Sequence, residues 1–119
     1  MSIDKRMLAL AADVARNNPK KLDNRSFCLG AVGLRNDGVI VTAKNIASSN
    51  VAPDHHAETR VIRKLTPNSM IWVARVLRST GEWSISRPCS GCQLRMKSAG
   101  VKKVVYTIGP DEWGVIEFA

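Results

Sequence analysis

Two short stretches, His56-Ala57-Glu58 and Pro88-Cys89-Ser90-Gly91-Cys92, constrain this chain more than any other feature. Cys89 and Cys92 are spaced close to one helical turn, so both sulfurs reach a single metal ion if a helix starts there. A helix N-terminus also favours the thiolate form that zinc needs. His56 lies 33 positions before Cys89 and supplies a third ligand from the start of a second helix. Three protein ligands leave a tetrahedral ion one open position, the arrangement of a catalytic rather than a structural site. Glu58, two residues after His56, is then placed to move protons and not to bind the ion. Alone, Cys-x-x-C is as readily half of a structural zinc site, and His-x-Glu says almost nothing. Their order, their separation and Pro88 before the first cysteine make the combination specific. His55 fits only as the residue before the ligand and reads as a pocket-edge or solvent residue.

The 119 residues suit one domain, 1–119, with a single core. No run of 18 apolar residues occurs, so no membrane span is expected. The first residues, Met1 to Arg6, carry no apolar signal core. Two of the three cysteines belong to the motif, and Cys28 reads as a small buried residue in a strand. An odd count beside a thiolate metal site points to a reducing cytoplasm and away from a disulfide framework. The formal net charge is +8, with basic residues spread along the chain. A basic balance of this size suits a phosphate-bearing partner, a nucleotide or a nucleic acid. Aromatic residues make up only 5%, few for a single-strand stacking platform.

Along the chain, Ile3, Met7, Leu10 and Val14 recur at helical spacing, widened by Leu8, Ala11 and Ala15, and Asn17-Asn18-Pro19 ends that helix. Phe27 to Leu34, the Asn36-Asp37-Gly38 turn and Val39 to Thr42 read as a β-hairpin. Gly30 and Gly33 in its first strand imply close approach by a helix or a ligand. Asp54 reads as the N-cap of a helix whose inner face carries Ala57, Val61, Ile62 and Leu65, broken by Pro67-Asn68. Met70 to Leu77 is a buried strand, Ser79 to Arg87 a loop, and Cys89 opens a helix that Gly100 closes. Val101 to Ile108 is a strand, Gly109-Pro110-Asp111 turns, and Trp113 to Phe118 returns as a last strand. That turn has no room for a helix, so the last two strands are expected to be antiparallel.

His-x-Glu followed by Pro-Cys-x-x-Cys resembles the signature of the cytidine deaminase superfamily of zinc-dependent nucleobase deaminases. The likeness covers nearly the whole chain. Ser26 to Ala31 is similar to the family's first strand, and Ser86 to Cys92 to its second ligand segment. The resemblance implies an α/β three-layer sandwich, a mixed five-stranded sheet with helices on both faces and the two metal-bearing helices side by side. It implies Zn2+ as cofactor on His56, Cys89 and Cys92, with Glu58 as the catalytic acid/base. It implies substrate contacts at Phe27, Asn45, Pro88 and Ala57, whose backbone meets the pyrimidine edge while Asn45 holds the sugar. It also implies a homo-oligomer. An antiparallel final pair resembles the free-nucleoside and free-base branches, because polynucleotide deaminases place a helix before a parallel last strand.

Three features depart from the nucleoside enzymes. His56 stands where they mostly use cysteine. Asn45-Ile46-Ala47 lacks the glutamate that there holds ribose. The chain also ends at Ala119, without the C-terminal segment that closes a neighbouring subunit's pocket. The expected activity is hydrolytic deamination of cytosine to uracil in a nucleoside or, preferably, a nucleotide, with release of ammonia. Deamination of cytosine in single-stranded DNA or RNA is the first alternative. A zinc-stabilised nucleic-acid-binding module without catalysis is the second, and Glu58 argues against it. Lys44 and Arg87 are the expected phosphate partners.

Overall fold

Side-chain alternation along the strands creates two apolar faces, and each is covered by helical residues. A computed structural model describes residues 3–16, 27–44, 61–77 and 80–118. Strands β1 (Phe27–Leu34), β2 (Ile40–Lys44), β3 (Met70–Leu77), β4 (Trp83–Ser84), β5 (Lys103–Gly109) and β6 (Glu112–Glu117) form one sheet. Helix α1 spans Ile3–Arg16 and helix α2 spans Ser90–Ser98. The main strand order is β2-β1-β3-β5-β6. β1 is antiparallel to both β2 and β3, β3 is parallel to β5, and β5 is antiparallel to β6. The mixed sheet, the helices on both faces and the antiparallel final pair are as expected. The count is not. Trp83 and Ser84, expected in a loop, pair with Val76 and Arg75 as a sixth strand. Two residues are too few to show a period, which is why the sequence reads as loop there.

On one face α1 packs Met7, Leu8, Ala11, Ala12 and Ala15 over Val32, Trp72, Ala74, Val76 and Val105. Full burial of a side chain such as Leu8 stabilises by about 1.5–3 kcal/mol. The seam differs from the expected stripe, since Ile3 is 61% and Leu10 37% exposed. Close approach explains the difference. A Cβ on Gly30 would lie 2.2 Å from the Ala11 carbonyl oxygen and 2.7 Å from the Ala15 nitrogen. Small residues on the helix and glycine on the strand bring the two backbones together, so the alanine side of α1 turns inward. Asp4 also faces the sheet, where its Oδ1 accepts the Trp72 indole N–H at 2.9 Å.

On the other face Val61, Met96 and Val101 pack with Ala31, Ala43, Ile71, Val73 and Val104. Val61 and Ile62 are helical. Helical conformation stops short of Leu65, and i to i+3 bonds tighten the exit: Lys64 N–H to the Val61 carbonyl and Leu65 N–H to that of Ile62. Pro67, which cannot continue a helix, follows two residues after Leu65. Leu65 still packs inward, where a Cβ on Gly33 would meet its Cδ2 at 2.5 Å. Among the described residues no helix is long and apolar enough to cross a membrane.

Candidate functional site

β3 and β5 are in register from Met70–Lys103 to Val73–Tyr106 and then separate. The C-terminal ends of parallel strands that part in this way are the usual place for a site in an open α/β sheet. The segment carrying both motif cysteines leaves from this fork. β4 pairs with the far half of β3, and the chain then crosses to β5. The Ser86 N–H donates to the Thr107 carbonyl at 2.9 Å, and the Thr107 N–H donates to Ser86 Oγ at 2.8 Å. Ser86 Oγ donates to the Val73 carbonyl at 3.0 Å, and Thr107 Oγ1 donates to the Ser84 carbonyl at 2.6 Å. Thr107 Oγ1 also accepts the Arg75 N–H at 3.2 Å. Both hydroxyl side chains are buried, so they take the place of the ladder bonds that the diverging strands lose.

Arg87 and Pro88 lead from the fork to α2. Pro88 is buried, and its carbonyl accepts the Gln93 side-chain N–H at 2.8 Å. Cys89 is the N-cap of α2, with extended backbone. Its Sγ lies 3.5 Å from the Cys92 nitrogen and accepts that N–H. Cys92 is the third helical residue and only 2% exposed, whereas Cys89 is exposed. The helix ends as expected. Gly100 has φ 83, its N–H reaches the Lys97 carbonyl, and the Val101 N–H reaches that of Met96. This 6→1 and 5→2 pair satisfies the last carbonyls of the helix.

The structure therefore brings Pro88, Cys89 and Cys92 together at one helix start. His56, Ala57, Glu58 and Asn45 lie outside the described residues. Phe27 opens β1, and its side chain, like those of Cys28 and Lys44, lies outside them too. Among the described residues no cluster of three or more metal-ligating side chains occurs. The donor set that is described fits zinc: two thiols one turn apart, one of them accepting a backbone N–H as zinc-bound thiolates commonly do. Four residues near the site were not singled out from the sequence for the roles they take: Ser86, Gln93, Tyr106 and Thr107. Thr107 carried a weak signal, as a small hydroxyl residue in the strand run Val104 to Ile108.

The sequence model described as "Cytidine and deoxycytidylate deaminase zinc-binding region" matches residues 1–108, and the chain belongs to that family. Similar solved structures share the fold. The cytidine deaminase from Burkholderia pseudomallei is 18% identical, with a TM-score of 0.66, covering 98% of this chain and 93% of that one. Cytidine deaminase from Mycobacterium leprae is 19% identical, with a TM-score of 0.58 over 97% and 94%. That from Mycobacterium tuberculosis is 20% identical, with a TM-score of 0.57 over 92% and 90%. No curated protein matches the chain by sequence.

Proposed function

We propose that this chain is a zinc-dependent hydrolytic deaminase that converts cytosine to uracil in a nucleoside or nucleotide and releases ammonia. The observation that carries the reading is Cys89 and Cys92 on the first turn of α2, in a chain that matches the deaminase family over residues 1–108. Cys89, Cys92 and His56 hold the ion, which when bound supplies Lewis acidity toward water. Glu58 takes a proton from the attacking water and returns protons to the ring and to the departing amine. Asn45 holds the sugar, the Ala57 backbone meets the pyrimidine edge, and Phe27 and Pro88 line the base. Burial of Pro88, with its carbonyl tied to Gln93, supports a fixed wall on that side.

A nucleotide is the preferred substrate. The formal charge of +8 favours phosphate, and Ala47 stands where a ribose-binding glutamate would repel it. Cytosine in single-stranded DNA or RNA is the competing reading, favoured by the same charge. The two-residue turn between antiparallel β5 and β6 supports the monomer. Two exposed large apolar residues, Ile85 ahead of α2 and Leu94 on it, support a homo-oligomer, and the thiol site suits the cytoplasm. An ammonia-release screen of cytidine, deoxycytidine, their monophosphates and single-stranded oligonucleotides, each at low and high salt, tests the assignment. Turnover of none of them overturns it.

A further inference from the structure

We infer that the Ser86–Thr107 hydroxyl pair is the positioning device of the metal centre: it fixes the strand fork from which Cys89 emerges, and so sets where the two thiols meet the ion. The inference rests on the zinc reading above. Ser86 stands three residues before Cys89, and only Arg87 and Pro88 separate them. Its hydroxyl is tied to β3 through the Val73 carbonyl and to β5 through the Thr107 N–H. The two hydroxyl oxygens lie 2.8 Å apart. Thr107 in turn ties β4 through Ser84 and β3 through the Arg75 N–H. Two side chains thus join three strands at the point where the parallel pair opens.

The position of Cys89 needs this bracing because α2 alone does not provide it. Helix α2 is anchored at its far end by Met96, buried in the core. Midway along it Leu94 is 67% exposed, and at its near end Gly91 has nothing within 4 Å of where a Cβ would stand. The near end is held by Cys92, by Gln93 on the Pro88 carbonyl, and by the chain running back to Ser86. Removing a hydroxyl at the fork leaves buried backbone groups unpaired and lets that chain shift. Ligand sulfurs tolerate such shifts poorly, and groups that orient metal ligands typically govern affinity by about 10–100-fold.

The test follows zinc release from the purified protein to a chelating dye, alongside thermal unfolding. Thr107→Val keeps the shape and loses the hydroxyl, and should release zinc about tenfold faster. Thr107→Ser keeps the hydroxyl and should release at close to the parent rate. Ser86→Ala removes the partner group, and should match Thr107→Val. Val32→Ala loosens the core on the opposite face, under α1, and should leave release unchanged even where it lowers the unfolding temperature. Parent-like release from Thr107→Val or Ser86→Ala overturns the inference. So does equal acceleration by Val32→Ala, which would reduce the pair to ordinary stability. If the parent protein carries no zinc, the metal reading itself fails, and the inference falls with it.

Discussion

The Arg87 guanidinium carbon lies 5.6 Å from the centre of the Tyr106 ring, and its Nη1 donates to the Tyr106 hydroxyl at 2.9 Å. The ring is buried against β6, where a Cβ on Gly114 would come within 2.6 Å of it. A fixed tyrosine therefore holds an exposed arginine close to the start of α2. Arg87 is exposed and forms no ion pair among the described residues, and its guanidinium carries five N–H donors suited to an anion.

From this arrangement follows a prediction about phosphate. Arg87→Ala should lower kcat/KM for cytosine monophosphates by about tenfold and leave the matching nucleosides nearly unchanged, as expected for loss of one charge-assisted contact. Tyr106→Phe should give a smaller loss in the same direction. Steady-state kinetics on paired substrates checks this, and an equal loss on both members of a pair would assign Arg87 to structure alone.

The metal gives the second prediction. Purified protein should hold about one zinc per chain, and both Cys89→Ser and Cys92→Ser should lose it. Elemental analysis with a parallel chelator treatment is the check. Full activity in metal-stripped protein would rule the centre out.

Glu58 gives the third. Glu58→Gln should keep zinc and unfold at a temperature close to the parent's, while turnover falls by at least about 10²–10⁴-fold. Near-parent deamination by this variant would remove Glu58 from its assigned role.

Packing gives the fourth. Gly30→Ala drives a methyl into the Ala11 carbonyl of α1, at 2.2 Å before relaxation, and should destabilise the fold by about 1–3 kcal/mol. Gly91→Ala meets nothing within 4 Å and sits in a helix, so it should be neutral or add up to about 1 kcal/mol. Denaturant unfolding of the two variants separates them. Equal stability would mean that α1 is not seated on Gly30.

Much of this architecture was legible because local chemistry and global fold agree. The Asn36-Asp37-Gly38 turn forms, with Asp37 Oδ1 accepting the Val39 N–H and Gly38 at φ 89. Cys89 caps a helix, and Gly100 ends it. Each is written within a few adjacent residues. What escaped depends on distance along the chain. The inward side of α1 is chosen by a glycine in β1, and hydrophobicity alone points instead to Ile3 and Leu10. Ser86 meets Thr107 across 21 positions, and no local pattern announces such a pair. Within the candidate site, the helix start that carries Cys89 and Cys92 was legible and is seen, while their role as ligands rests on the motif and the family. So does the half with His56 and Glu58.

Salt dependence separates the monomer from the polynucleotide, and it gives the last prediction. A basic surface attracts both, so affinity at a single salt concentration decides nothing. The number of phosphates engaged at once does decide. A single strand that neutralises several cations releases several counterions, and its log affinity falls with log salt at a slope of about −0.7 per phosphate contacted. A monophosphate held chiefly by Arg87 engages one phosphate and should show a slope of no more than about −1. The antiparallel β5–β6 pair, joined by Pro110 and Asp111, inserts no helix that would extend a strand-binding surface. Monophosphates should therefore outperform oligonucleotides in kcat/KM at physiological salt, and their advantage over nucleosides should shrink gently as salt rises. An oligonucleotide that beats every monomer and loses activity steeply with salt would make the polynucleotide the substrate. Turnover of bare nucleoside equal to that of nucleotide, and insensitive to salt, would make the nucleoside the substrate and leave Arg87 without a phosphate to hold.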